Sequence, residues 1–418
     1  SLADFLVAAE AVNGRKKLTL LFGGEVTGRQ LVSLVFEKNE AAVAGIRQAL
    51  ENLPVEHIHT DEPELEDVVV ALLLKEREEQ PGESAGSDQS ARPAGRQQLD
   101  GLAVEAKELI RDFGSFRAVD RVSFDMKQGE IFGLLGANGA GKTTVIKMLT
   151  GIVPPTAGEG RVAGADMHTA GGAIKERIGY MSQAFSLYLD LTVIENIRLF
   201  AGIYGLARRE AQQRMEWIVE MAGLTGYEDD RTGRLPMGVR QRLALGCALV
   251  HSPRVLFLDE PTSGVDPIGR RRFWELLSRL AREEGVAILI TTHYLSEAEH
   301  CDRLALMYAG RIVAEGTPAH LKKQVERDIG QLVEMVVDKP GIALAHVVAA
   351  GFAGAALFGT KIHVLSRDPG RDEGRLRDVL ARSGIAVGSV RTRMLSLEDV
   401  FVSRVMALEQ AAQKEVSA

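Results

Sequence analysis

With only two cysteines in 418 residues, the chain cannot rest on a disulfide framework, and no cysteine spacing suited to zinc is present. Cys247 and Cys301 both fall in apolar, helix-like surroundings and read as core residues of a protein kept in a reducing compartment. Long apolar runs are missing too. The best candidate, residues 347–359, is 13 residues of mostly alanine and glycine, against the roughly 20 a membrane-spanning helix needs. Residues 5–9 are apolar but lack a basic leader and are followed by Glu10, so they do not read as a signal peptide. Nor is there an excess of positive charge. A formal net charge of −7 and a pI near 5.8 argue against a nucleic-acid partner, which needs a concentrated basic face. The one dense basic run, Arg270, Arg271 and Arg272, adjoins Phe273, Trp274, Leu276 and Leu277 at helical spacing and reads as the solvated face of an amphipathic helix. What the chain does have is 45% hydrophobic and 26% charged residues, enough for two or three domains with ample cores.

The most informative stretch starts with a strand-like run, residues 130–135, and continues Gly136-Ala137-Asn138-Gly139-Ala140-Gly141-Lys142-Thr143-Thr144. This is the phosphate-binding pattern G-x-x-x-x-G-K-[ST]. Gly136, Gly139 and Gly141 let the backbone curl so that its N–H groups point inward, and the following helix adds the positive end of its dipole. Asn138 and Thr144 belong to the same cradle. Lys142 is expected to reach the β and γ phosphates, and Thr143 to offer a hydroxyl to Mg²⁺. Val145, Ile146, Met148, Leu149 and Ile152 follow at helical spacing, as a buried helix after the loop requires.

Further on, residues 255–258 form a short apolar run ending in Asp259-Glu260, a buried parallel strand with carboxylates at its carboxyl end. Asp259 is the candidate metal-side carboxylate, and Glu260 the candidate base that orients an attacking water. A second buried strand, 286–290, leads to Thr291-Thr292-His293, where an imidazole can donate to a γ-phosphate.

In this order the elements resemble an ABC-type nucleotide-binding domain. The fold class implied is α/β: a P-loop NTPase with a RecA-like core and a helical subdomain at about 184–250, within a domain spanning 101–320. The resemblance implies ATP and Mg²⁺ as ligands. It makes Gln183 a Q-loop glutamine that contacts Mg²⁺, and Phe113 the aromatic that stacks on adenine, with Phe116 as its competitor three residues on. The wording of residues 107–114, 117–124 and 129–136 is similar to ATPase subunits of bacterial ABC-2-type exporters, in particular to the second module of tandem ATPases. That implies an ATP-hydrolysing subunit on the inner, cytoplasmic face of the membrane. Its partners would be separate ABC-2-type permease chains, docked near residues 184–189 and 200–204, and a second ABC module. A soluble ABC ATPase acting on ribosomes or nucleic acid is the rival reading, and an inactive scaffold the third.

One loop departs from the family. The usual Leu-Ser-Gly-Gly-Gln signature becomes Leu235-Pro236-Met237-Gly238-Val239, without the serine hydroxyl that would meet the γ-phosphate of a neighbouring module. Gly238 remains to face nucleotide, less favourably. Sound phosphate loops beside a poor signature imply an asymmetric pair of ATP sites.

Leu65-Glu66-Asp67-Val68 near the start repeats as Leu397-Glu398-Asp399-Val400 near the end, an offset of 398 − 66 = 332. Each follows a strand, helix, strand pattern, so 1–75 reads as the tail of a preceding ABC module. A first residue Ser1 agrees with that. Residues 76–100, almost without large apolar side chains, read as a flexible linker. Beyond the core, 328–418 alternates strand and helix and is expected to form a small α+β appendage of ferredoxin-like type. Its expected role is regulation or the bracing of a dimer, with ligand binding as the rival.

Overall fold

The computed structural model describes residues 19–26, 29–35, 101–169, 171–183, 187–352 and 354–417, with side chains described between 101 and 408. The linker, and the helix and second strand expected at 41–50 and 55–59, lie outside the described residues. So do Leu65–Val68 of the repeat and 184–186 of the expected permease-docking surface.

In chain order the elements begin with β1 (Thr19–Val26) and β2 (Arg29–Val35), an antiparallel hairpin. Next come β3 (Leu102–Phe113), β4 (Phe116–Lys127), β5 (Ile131–Gly136) and α1 (Lys142–Leu149). Then follow β6 (Ala157–Val162), β7 (Ala165–Asp166), α2 (Gly171–Arg177) and β8 (Ile178–Met181). Three helices follow, α3 (Val193–Ile203), α4 (Arg208–Met221) and α5 (Met237–Leu249), and after them β9 (Val255–Asp259), α6 (Pro267–Glu283) and β10 (Ala287–Thr292). The chain continues with β11 (Arg303–Tyr308), β12 (Arg311–Gly316) and α7 (Pro318–Asp328). It ends with β13 (Gln331–Val337), α8 (Pro340–Ala349), β14 (Ala356–Phe358), β15 (Lys361–Ser366), α9 (Pro369–Arg382), β16 (Val387–Arg393) and α10 (Leu397–Ser417).

These elements form two compact units. Of the described residues, one holds those up to Val104 with Asp125–Ile131 and those within Arg161–Ile290; the other holds Glu105–Phe124, Phe132–Gly160 and those from Thr291 on.

In the first unit β8, β9 and β10 lie side by side, β8 and β9 parallel from Ile178↔Val255 to Met181↔Leu258. Val255, Leu256, Phe257 and Leu258 are fully buried, as are Ala287 to Ile290. Continuous apolar strands of this kind form where both faces are covered. The helices begin where the sequence writes caps. Thr192 and Glu195 make a reciprocal capping box at α3, with bonds of 2.8 and 3.3 Å. Asp266 accepts from the Gly269 N–H at 2.9 Å, and Pro267 stands at the first position of α6. Buried Asn196 ties the segment before α3 to the one before α5, bonding Tyr188 N–H and C=O and the Thr232 hydroxyl. α6 is amphipathic, with Phe273, Trp274, Leu276 and Leu277 buried, but of the basic run expected as its solvated face only Arg272 is exposed: Arg270 is half-buried, and Arg271, its side chain 16% exposed, pairs with Glu275 one turn on at 3.2 Å.

In the second unit β11 lies between β5, to which it is parallel, and β12, to which it is antiparallel. Leu135, Leu304 and Leu306 from these strands pack with Leu321 and Val325 of α7 and Leu397 and Val400 of α10. The P-loop helix ends sooner than the apolar spacing suggests. It stops at Leu149, the chain turns at Gly151 (φ 70°), and Ile152 is half exposed. The appendage runs β13–α8–β14–β15–α9–β16, with strand order β14-β15-β13-β16 and every neighbour antiparallel. That is the ferredoxin-like split βαβ arrangement. Its core joins Val333, Met335, Ile362 and Val364 of the sheet to Val347, Leu376 and Leu380 of the two helices. The alanine- and glycine-rich run 347–359 is not one helix: it finishes α8 and, after a turn, contains the whole of β14. Among the described residues no helix is long and apolar enough to cross a membrane. Both cysteine thiols are buried, and burial pushes their pKa values up, which makes them inert core groups.

Candidate nucleotide site

The second unit carries the phosphate loop. Buried β5 delivers the chain into Gly136, the exposed Ala137, Asn138 and Gly139 form its crown, and α1 starts at Lys142. Two glycines are obligatory here. A Cβ at Gly136 would come within 2.2 Å of the Met307 carbonyl oxygen, and one at Gly141 within 2.5 Å of that of Ala118. Their φ angles of 152° and 105° lie in the region that favours glycine. Buried Lys142 turns its amine back into the loop and donates to the carbonyls of Gly136 at 2.7 Å and Ala137 at 3.1 Å. A phosphate oxygen is the natural replacement for those two acceptors. Thr143 and Thr144 follow on α1, half buried.

The loop is braced from behind by residues the sequence reading did not single out. The Gly310 N–H donates to the Ala140 carbonyl at 3.1 Å, and the Asp120 N–H to the Gly310 carbonyl at 2.9 Å. The Asp120 carboxylate accepts from Arg311 at 2.6 Å and Arg117 at 3.2 Å. Burial pushes that carboxyl up, but the two guanidinium groups outweigh it and hold it below the ordinary carboxylate range. Nearby in sequence, Phe113 ends β3 with its ring 47% exposed and the Arg111 guanidinium 4.5 Å from the ring centroid. An exposed ring backed by a cation suits stacking on a flat base. Phe116, at 63% exposure, opens β4. His293 follows β10 as an exposed ring against Tyr294, with centroids 4.1 Å apart.

The first unit carries the carboxylates. Asp259 is the last residue of β9 and is 2% exposed. Glu260 follows in the left-handed region, φ 50°, a conformation costing a non-glycine residue on the order of 1 kcal/mol or more. Its carboxylate accepts from the Gln183 side-chain amide at 3.2 Å. That bond joins two candidates 77 residues apart in sequence. Asp259 is felt locally: burial first, and then its negative charge, push the Tyr180 phenol up to about 12. Among the described residues no three His, Cys, Asp or Glu side chains converge as a metal cage. Mg²⁺ fits such a sparse donor set, because it is typically held by one or two protein groups together with substrate phosphates.

The degenerate loop occupies the start of α5. Pro236 is the N-cap, with φ −56° and ψ 151° and no side-chain cap bond; its carbonyl accepts from Val239 and Arg240, each at 3.0 Å. A serine there would offer its oxygen to the first turn. Gly238 is buried, and a Cβ on it would meet Gly269 Cα and Val265 at 3.5 Å and the Asp266 carboxylate at 3.7 Å. Gln241 donates to the Ser263 carbonyl at 3.4 Å. Around the helices of this unit Tyr188, Leu189 and Ile203 are exposed apolar side chains, while Tyr204 stacks on His251 with centroids 3.6 Å apart.

The model of the family described as "ABC transporter" matches residues 119–263. The chain is 43% identical over 335 residues to the probable multidrug ABC transporter ATP-binding protein YbhF of Escherichia coli (strain K12), a match covering 78% of this chain and 56% of that protein. It is 37% identical over 300 residues to the Nod factor export ATP-binding protein I of Burkholderia thailandensis, covering 72% of this chain and 95% of that one. Among solved structures, cbiO1 from Clostridium perfringens, part of the ABC transporter complex cbiONQ, superposes with a TM-score of 0.50 at 27% identity, covering 55% of this chain and 96% of that one. The chain thus spans little more than half the length of the first of these relatives.

Proposed function

The chain belongs to the ABC transporter ATP-binding proteins, and from that premise we propose that it is the ATP-binding and ATP-hydrolysing subunit of an ABC-2-type export system, working on a separate membrane permease. The observation that carries the reading is the hydrogen bond between Gln183 and Glu260 at the mouth of a buried, aspartate-tipped strand. It supports reading Glu260 as the base for water, because it ties that carboxylate to the side chain that the family uses to sense nucleotide.

In this reading the Gly136–Gly141 cradle and Lys142 bind the triphosphate, Lys142 exchanging two carbonyls for phosphate oxygens, while Phe113 stacks on the adenine. Thr143, Asp259 and Gln183 would hold Mg²⁺, which supplies charge neutralisation when bound. Glu260 orients water for in-line attack, and Lys142 and His293 stabilise the charge that spreads over the transferred group. Two modules close head to tail, so each site is completed by the other module's signature loop. The second module is either an N-terminal ABC half of the same protein, of which 1–75 is the tail, or another copy. The poor signature at 235–239 then makes the two sites unequal in a tandem pair. The protein works at the cytoplasmic face of the membrane, and its exporter relatives support that placement.

The test is Glu260→Gln in the transporter assembled with its permease. Nucleotide binding should persist while turnover falls about 10²- to 10⁴-fold, the usual worth of a positioned general base. Unchanged turnover would remove Glu260 from the mechanism.

A further inference from the structure

The ferredoxin-like appendage contains a cavity of about 210 Å³ between its sheet and α10. Its walls are apolar, supplied chiefly by Leu332, Leu365, Phe358, Val402 and Met406. Among the described residues its polar lining is three side chains, His363, Asp399 and Ser403.

Two of those three are already committed. His363 places one ring nitrogen 2.9 Å from an Asp399 carboxylate oxygen and the other 3.3 Å from Glu334, while the Phe358 ring stacks on it at 4.4 Å. The remaining oxygen of Asp399 accepts from the Ser396 N–H at 2.8 Å and the Ser396 hydroxyl at 2.6 Å. Glu334 is held by Lys361 and Arg391. Ser403 is different. Its side chain is 92% buried (8% exposed), and its hydroxyl has no hydrogen-bond partner among the described residues. A buried hydroxyl left unpaired is costly, and a helix-borne serine can usually avoid that by bonding back to the preceding turn. Here it is retained beside a largely apolar cleft that is partly open to solvent, with its oxygen turned into the wall.

We propose that this cleft is a binding site for a compact, uncharged, mostly apolar molecule, a ring or short branched chain carrying one hydroxyl, with the Ser403 hydroxyl, turned toward it about χ1, as its hydrogen-bond partner. Size sets the first limit, since a cavity of about 150 Å³ already accommodates benzene. Charge sets the second. A cationic amine finds no carboxylate that is not already satisfied, and an anion would be brought against Asp399. The site is continuous with the body of its unit, because Ile329, Leu332 and Leu365 also belong to the apolar cluster that contains Leu135, the residue before Gly136 of the phosphate loop.

The probes are benzyl alcohol, toluene, benzylamine and benzoate, titrated into the chain with labelled methionine methyl groups and read at Met406. Benzyl alcohol should give a saturable shift, toluene the same shift with about three- to tenfold weaker affinity, the worth of one neutral hydrogen bond, and the two ions none. In Ser403→Ala the two neutral probes should become equivalent, and in Ala356→Leu, which fills the cavity, both should stop binding. Non-saturating shifts, equal affinities in the parent chain, or benzyl alcohol binding untouched by both substitutions would overturn the proposal.

Discussion

Rewriting Pro236 as serine and Met237 as glycine isolates what the altered loop does, because the consequences for stability and for nucleotide contact separate. Pro236 sits at the N-cap of α5 with no side-chain bond to the helix, and Met237 is 37% exposed at the first helical position. A serine cap adds about 1 kcal/mol. Losing the proline returns freedom to the unfolded chain and costs about 0.4–1 kcal/mol, and glycine for an exposed helical methionine costs up to about 1 kcal/mol. The sum lies within roughly 1 kcal/mol of zero, so unfolding should barely move. The contact with nucleotide is not balanced in this way. A hydroxyl donated to a charged γ-phosphate is worth about 1.5–3 kcal/mol, roughly ten- to 150-fold in affinity. Two copies of this chain closing head to tail form two such contacts, so the dimerisation constant should tighten by at least about a hundredfold. The assay is sedimentation of the chain in a Glu260→Gln background with ATP and Mg²⁺, beside urea unfolding of the same variants. A dimerisation constant within about threefold of the parent, at unchanged stability, would refute the idea that this loop is the defective half of a composite ATP site.

Other consequences can be measured on the chain itself. Gly141→Ala drives a Cβ to 2.5 Å from the Ala118 carbonyl at a φ of 105°, whereas at Gly139, φ 83°, a Cβ meets nothing within 4 Å. Urea unfolding should show a loss of about 2 kcal/mol or more for the first and about 1 kcal/mol for the second; equal losses would contradict the close packing behind the loop. The appendage should be acid-labile. Burial raises the Glu334 and Asp399 carboxyls, but Arg391 and Lys361 at the first, and His363 and Ser396 at the second, outweigh it and hold both below the ordinary carboxylate range. A depressed folded-state pKa stabilises above the unfolded value and is lost as pH falls through the folded one. Through these two carboxylates, stability should therefore decline as pH falls below about 4. Glu334→Gln should blunt that decline, and an identical acid profile in the variant would mean the network does not couple to folding.

How much of this molecule could be read from the chain depends on how far apart the cooperating residues stand. The phosphate loop was legible because its chemistry is local: nine successive residues carry the turn, the amine and the hydroxyl. The carboxylate strand was legible for the same reason, four apolar residues running into two acids. The pairing of Gln183 with Glu260 was not carried by any local pattern; only likeness to a family put both residues in one site. The Asp120–Arg311 brace, 191 residues apart, left no signal at all, and neither did the Glu334–His363–Asp399 network, since each member alone reads as a surface residue of a strand or helix. Where periodicity misled, the cause was backbone rather than side chain: Gly151 ended α1 before Ile152, and β14, three residues inside an alanine-rich run, was too short to show a period of two. The signature loop joins the two cases. Its spelling announces that a serine is missing, but the role of position 236 as the N-cap of α5 comes from three-dimensional geometry. On the proposed reading a single replacement there removes a side-chain helix cap and a phosphate contact together, and because the proline offsets the lost cap, the cost of the departure would fall chiefly on the partner's nucleotide.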